Sequence, residues 1–196
     1  MSQINSKNLD TNDELVIAIQ NEDFREVKKL LSWYQYNDRM FDNAFFWAIN
    51  QGNFDIIVLF FETGRVNIKR INENEDICIL SEAISRNNTE VVYLLLNLGV
   101  ADLNCTSKVI NSKTGKVEFY RPFQYAVVSK NLDIIEALLR TSKFNTEAKE
   151  YLKRVNYDID DPETTHSDYI YNVKVKELLE EYLPQSFISK IKKAFV

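Results

Sequence analysis

The chain of 196 residues carries 24 basic and 29 acidic side chains, a net charge of −5, and 45% hydrophobic residues, the balance of a soluble globular chain long enough for one good-sized core. The acidity is concentrated in residues 1–100, with 9 basic and 15 acidic groups against 15 and 14 in residues 101–196, so nothing points to nucleic acid or an anionic membrane as a partner. No apolar run approaches the roughly 18 to 20 residues of a membrane span, and the polar N-terminus MSQINSKNLDTNDE lacks the apolar segment of a signal peptide.

Taken in order, residues 1–12 have no apolar periodicity and are expected to form a mobile tail. Asp13 reads as an N-cap, followed by a helix over about 14–21. After a short polar break a second helix is predicted over 24–34. Its residues Phe24, Val27, Leu30, Leu31 and Tyr34 make one apolar face at helical spacing. The unit is helix, tight turn, helix, and it recurs: four such units lie near 13–35, 43–64, 77–99 and 121–142. Aligned on Ala18, Ala48, Ala83 and Ala126, the column nine residues on holds Val27, Ile57, Val92 and Ile135. The column twelve residues on holds Leu30, Phe60, Leu95 and Leu138, and the one three residues before holds Leu15, Phe45, Leu80 and Phe123. Neither helix of a unit buries enough apolar surface alone, so the units must stack into a solenoid with a shared core.

The connectors differ. RVNIKRINENED joins the second and third units. Between the third and fourth, KVINSKTGKVEFY alternates apolar residues around a turn and predicts a two-stranded finger with Gly115 at its tip. Gly (4) and Pro (3) are sparse, as expected for helices joined by short turns. Beyond the fourth unit the register fails. TEAKEYLKRV and NVKVKELLEEYL read as helices on either side of an acidic loop, NYDIDDPETTHSDYIY. Pro184 ends the second of them, and SFISKIKKAF makes a short basic amphipathic helix. Residues 146–196 are accordingly expected to cap the core of the array.

Fragments RPFQYAVVSKNLDIIEALL and FFWAINQGNFDIIVLFFETGRVN resemble the ankyrin-repeat pattern TPLHxAxxxGxxxIVxxLLxxGAxxN. The spacings between leading alanines, 30, 35 and 43 residues, bracket that family's period of about 33. The resemblance covers roughly 13–145. It implies an all-α solenoid of stacked helix-turn-helix units with β-hairpin-like connecting fingers. Departures are visible: Pro122 and Gln124 are the remnants of TPLH, and the inter-helix glycine survives only as Gly52, with Glu22, Asn87 and Lys130 in its place elsewhere.

Catalytic chemistry finds little footing. The one histidine, His166, lies in the acidic segment away from Cys78 and Cys105, and no two glycines stand close enough for a phosphate loop. Reading the acidic segment as a calcium loop from Asp158 puts Pro162, Glu163 and Tyr169 where ligand and glycine positions belong; it reads as a solvated surface loop. Two cysteines are too few for a disulfide framework and read as separate buried or loop thiols in a reducing compartment. No metal and no cofactor is expected.

Resemblance to ankyrin arrays implies a non-catalytic protein-binding module that meets its partner through the concave face of the first helices and through the finger loops. Carried onto this sequence, that surface is Arg39, Met40, Asn50, Gln51, Arg70, Ile71, Arg86, Tyr120, Arg121 and Ser129. The resemblance further suggests a monomeric, cytoplasmic protein binding a partner protein, in the manner of host-directed effectors. The alternative is a targeting or regulatory fragment of a larger effector enzyme.

Overall fold

A computed structural model describes residues 10–75, 78–110, 115–141, 145–160 and 165–194. Four helix pairs sit on the predicted units: α1 (Asp10–Gln20) with α2 (Phe24–Trp33), α3 (Asp38–Gln51) with α4 (Phe54–Glu62), α6 (Ile79–Ser85) with α7 (Thr89–Asn97), and α8 (Pro122–Ser129) with α9 (Leu132–Arg140). Between them lie α5 (Ile68–Glu75) and a two-stranded antiparallel finger, β1 (Ser107–Ile110) and β2 (Val117–Tyr120). Three helices follow: α10 (Asn145–Asp160), α11 (His166–Tyr182) and α12 (Gln185–Ala194). The result is the all-α architecture expected from the repeat.

Every second helix starts by the same local device. Asp23, Asn53, Asn88 and Asn131 each accept, through a side-chain oxygen, the N–H three residues on, at 3.0, 3.2, 3.0 and 3.1 Å. Each cap satisfies a donor that the first helical turn leaves without a partner. The residue immediately before each cap turns the chain with positive φ: Glu22 (54°), Gly52 (75°), Asn87 (57°) and Lys130 (56°). The turn thus demands the left-handed region even where the glycine has been lost. Since a non-glycine residue there costs about 1–2 kcal/mol, Glu22→Gly is expected to raise stability by about 1 kcal/mol, read from urea unfolding midpoints.

The aligned columns are the core. Leu15, Phe45, Leu80 and Phe123 are buried, as are the four alanines and the columns of Val27 and Leu30 in all four units. Contacts divide the chain into two compact units, residues 1–120 and 121–196. In the first, α1 packs on α2 and α3, α2 on α4, α3 on α4, α5 and α6, and α6 on α7; in the second, α8 packs on α9 and α10, and α11 on α9 and α10. The division therefore groups the fourth helix pair with the C-terminal helices.

Gly52 also ties neighbouring repeats together. Its carbonyl accepts the Asn88 Nδ2–H at 2.7 Å, while the same asparagine caps α7. A methyl group at position 52 would stand 2.6 Å from Asn88 Nδ2, so glycine is required here by close approach as well as by φ.

Four expectations are corrected. Asp13 is not a cap, because α1 already runs from Asp10; residues 1–9 of the expected tail lie outside the described residues. Connector RVNIKRINENED contains the helix α5, capped by Asn67 Oδ1 accepting the Arg70 N–H at 3.0 Å and anchored by buried Ile68 and Ile71. The expected acidic loop is helical at both ends, since α10 continues to Asp160 and α11 starts at His166, capped by Thr165; residues 161–164 between them lie outside the described set. Finally, Cys78 and Cys105 are not separate thiols but a disulfide, with Cα atoms 5.4 Å apart. The physical reason is that the finger base folds back on α6, where the Cys78 N–H donates to Ser107 Oγ at 3.3 Å.

The finger itself is as expected. Pairing Ser107 with Tyr120, Lys108 with Phe119, Val109 with Glu118 and Ile110 with Val117 puts Lys108, Phe119 and Val117 on one face and Tyr120 and Glu118 on the other. Gly115 has a φ of 68°; residues 111–114, beside which its place at the tip was expected, lie outside the described set.

Candidate protein-interaction surface

Within residues 1–120, the first helices α3 and α6 are linked at their exposed edge by polar and charged side chains. Asn50 Nδ2–H donates to Glu82 Oε1 at 3.1 Å, and Arg86 Nε–H donates to the same oxygen at 3.0 Å. Two of the expected contact residues, Asn50 and Arg86, are therefore brought together on Glu82, which sequence reasoning passed over. Spacing could have found it, because Glu82 stands one helical turn before Arg86. Gln51 and Arg86 are exposed, and Asn50 is half-buried.

A second cluster gathers at the start of α3. Arg70, carried by α5, donates from Nε and Nη2 to the two oxygens of Asp42, both at 2.7 Å, and from Nη1 to Asp38 at 3.0 Å. This bidentate grip raises the Arg70 pKa, the hydrogen bonds to Asp42 being the largest cause. Arg65 completes the cluster: its guanidinium lies 4.4 Å from the centre of the Phe41 ring and donates to the Tyr36 carbonyl at 2.7 Å. Next to it Arg39 is exposed and Met40 half-buried.

These placements sort the expected residues. Arg39, Gln51 and Arg86 present surface; Arg70 is committed to a structural ion pair. Ile71 is fully buried, so it is core and is withdrawn from the surface, because α5 turns it inward one turn after Asn67 caps the helix. Tyr120 is half-buried on the inner face of the finger, its hydroxyl donating to Glu118 Oε2 at 2.8 Å.

On the finger's other face Phe119 is 65% exposed, with Val117 beside it also exposed. Sequence reasoning named the finger but not these two residues. Alternation alone places Val117 and Phe119 on one face of β2, without saying which face is out.

Residues 121–196 hold the remaining two. Arg121 is exposed and its Nη1–H donates to Glu147 at 2.7 Å, while its N–H donates to Gln124 Oε1 at 2.8 Å, so the TPLH remnant Gln124 still caps α8. Ser129 is half-buried, its Oγ–H donating to the Ala126 carbonyl at 2.8 Å. Lys130, at the end of α8, holds with its ammonium the carboxyl of Asp168, on α11, below the usual carboxylate range. Tyr171 donates to the Val127 carbonyl at 3.0 Å, and burial pushes its phenol upward.

Among the described residues, no group of three or more His, Cys, Asp or Glu is placed to hold a metal ion. Nor is any helix of theirs long and apolar enough to cross a membrane.

The stacked pairs, the left-handed turn and the Asx caps agree with what a comparison with family models finds: residues 15–107 match the ankyrin-repeat model in three copies. This stretch is an ankyrin-repeat array. No curated protein matches the chain. Ankyrin repeats are generally protein–protein interaction modules, and the family is typically non-catalytic. The matched copies end at the start of the finger, so the helix pair α8–α9 stands outside the match even though its columns, its cap and its positive-φ turn repeat those of the first three.

Proposed function

We propose that the chain is a non-catalytic binding module that takes a partner protein on the first-helix face of its ankyrin array and on the β1–β2 finger. The observation that carries this reading is the outward pair Val117 and Phe119. A protein exposes an aromatic and a β-branched side chain side by side on one face of a hairpin at a cost in hydration, and such patches mark contact sites. Arg39, Gln51 and Arg86 supply the polar rim, with Arg86 held in place by Glu82. Arg121 and Ser129 are proposed contact residues of the unit 121–196, taken by itself. The Asn-, Ile- and Lys-rich composition suits an AT-rich genome and, with it, a partner in the cytosol of a host cell bound by a monomer.

The test is a partner search by affinity capture from host-cell lysate with the intact chain, followed by titration of the captured protein. Phe119→Asp is expected to weaken binding by about tenfold or more, equivalent to about 1.4 kcal/mol, and Arg86→Ala combined with Tyr120→Ala to weaken it further, with the far-ultraviolet spectrum unchanged. Failure to recover any partner, or affinity that survives both changes, would sink the assignment of this surface.

A further inference from the structure

The Cys78–Cys105 bond is asymmetric in its exposure. Cys78 is fully buried at the start of α6, its Sγ accepting the Ser81 N–H at 3.4 Å. Cys105 is half-buried and opens on a surface groove of about 550 Å3, whose walls include Lys69, Asn72, Glu73, Asp102 and Thr106. Thiol–disulfide exchange requires a thiolate to reach one sulfur from outside. Of the two cysteines, Cys105 lines the groove and Cys78 is fully buried.

We infer that Cys105 is an exchange site for a small peptide thiol of the glutathione class, and that the Cys78–Cys105 pair is a reversible link between the finger base and α6. The groove's polarity fits such a molecule, which carries carboxylates and one ammonium: Lys69 offers the cation, Glu73 and Asp102 the anions. In the reducing direction a glutathione thiolate attacks Cys105 Sγ. A new sulfur–sulfur bond forms to Cys105, the Cys78–Cys105 bond breaks, and its electron pair leaves on Cys78, which takes up a proton. A second glutathione thiolate then attacks the glutathione sulfur of the mixed disulfide, releasing glutathione disulfide and a Cys105 thiolate that is protonated in turn. The protein gains two electrons and two protons, and two glutathione molecules become one disulfide. Oxidation runs the same steps backwards, with glutathione disulfide as oxidant.

The link matters because it anchors the finger. Cys105 lies two residues before β1, and the Cys78 N–H to Ser107 Oγ bond is a further tie between finger base and α6. Reduction removes the covalent tie, so the finger's strand amides exchange faster with solvent. This inference does not rest on the identity or existence of a partner.

The experiment incubates the full chain with glutathione disulfide, quenches with an alkylating agent and maps adducts by mass spectrometry. Cys78→Ser is expected to accumulate one glutathione on Cys105, because the second thiol that would resolve the adduct is gone. Cys105→Ser is expected to take up none. Equal adducts on the two variants would overturn the assignment, as would an unsubstituted chain that keeps two alkylatable cysteines in excess glutathione disulfide. Should either serine variant fail to fold, the unsubstituted reduced chain quenched at early times decides the matter. An adduct on Cys105 about tenfold over Cys78 is expected from the exposure difference, and comparable amounts refute it. Hydrogen exchange at Val109 and Phe119 before and after reduction reads the anchoring: faster exchange on reduction supports it, and unchanged exchange removes the mechanical half of the inference.

Discussion

Arg70→Ala is expected to destabilise the protein by about 3 kcal/mol, measured by urea unfolding at neutral pH. Asp42 is 1% exposed, and a carboxylate at that depth is tolerable only with its charge and its lone pairs answered. Arg70 does both through the two 2.7 Å bonds. Removing one partner of a buried pair typically costs about 3–5 kcal/mol because the other charge is left without compensation. The low end applies here, since the Arg70 side chain is 28% exposed and water can follow into the space it vacates. Two controls separate this from a general effect of substitution. Asp38→Ala removes the other bond to Arg70, at a side chain 64% exposed, and is expected to cost no more than about 1 kcal/mol. Asp42→Asn combined with Arg70→Met removes both charges and is expected to recover most of the loss. If Arg70→Ala unfolds within about 0.5 kcal/mol of the unsubstituted chain, the clamp is not a stability element. The same result bears on function: a binding defect in Arg70→Ala follows from loosening α3 and is not evidence of direct contact.

Phe60→Ala is expected to cost about 3–5 kcal/mol, the range for removing a large buried aromatic side chain. Phe60 is fully buried on α4 and meets two rings of α3 edge-on, Phe41 at 5.2 Å and Phe45 at 5.5 Å between centroids. Such edge-to-face pairs add to the area buried, and the rings around an alanine cannot close the gap without leaving their rotamers. Trp33 supplies the contrast. It is 71% exposed, with the Lys29 ammonium over its ring at 5.3 Å, and Trp33→Ala is expected to change stability by less than about 1 kcal/mol. Thermal and urea unfolding of the two variants, side by side, test whether the aromatic-rich α3–α4 pair is core and not a ligand pocket. Equal losses would contradict the burial.

How far the candidate surface could be read from the chain depends on the residue. Arg86 and Asn50 are candidates because their columns are not fixed by the core, and the structure places both on Glu82. Ile71 was misplaced because connector RVNIKRINENED was not read as helix. The signal was present in Asn67 as a cap and in Ile68 and Ile71 at helical spacing. Asp38 and Asp42 are also one turn apart, a like-charge pair that calls for a cation, and Arg70 answers it from 28 residues beyond Asp42. Nothing local to Arg70 names that partner.

By itself the sequence determined the repeat, the register of the buried columns and the hairpin before Pro122. All of these follow from short-range physics: helical periodicity and strand alternation. That Glu22, Asn87 and Lys130 keep the left-handed turn of Gly52 was decided by the structure. Only the tertiary structure decided which charges are buried in pairs, that Cys78 meets Cys105 across 27 residues, that Ile71 points inward, and that Val117 and Phe119 face out. Each of those depends on which segments the stacking brings within a few ångströms, and side-chain distance across a folded chain is not encoded in the spacing of residues along it.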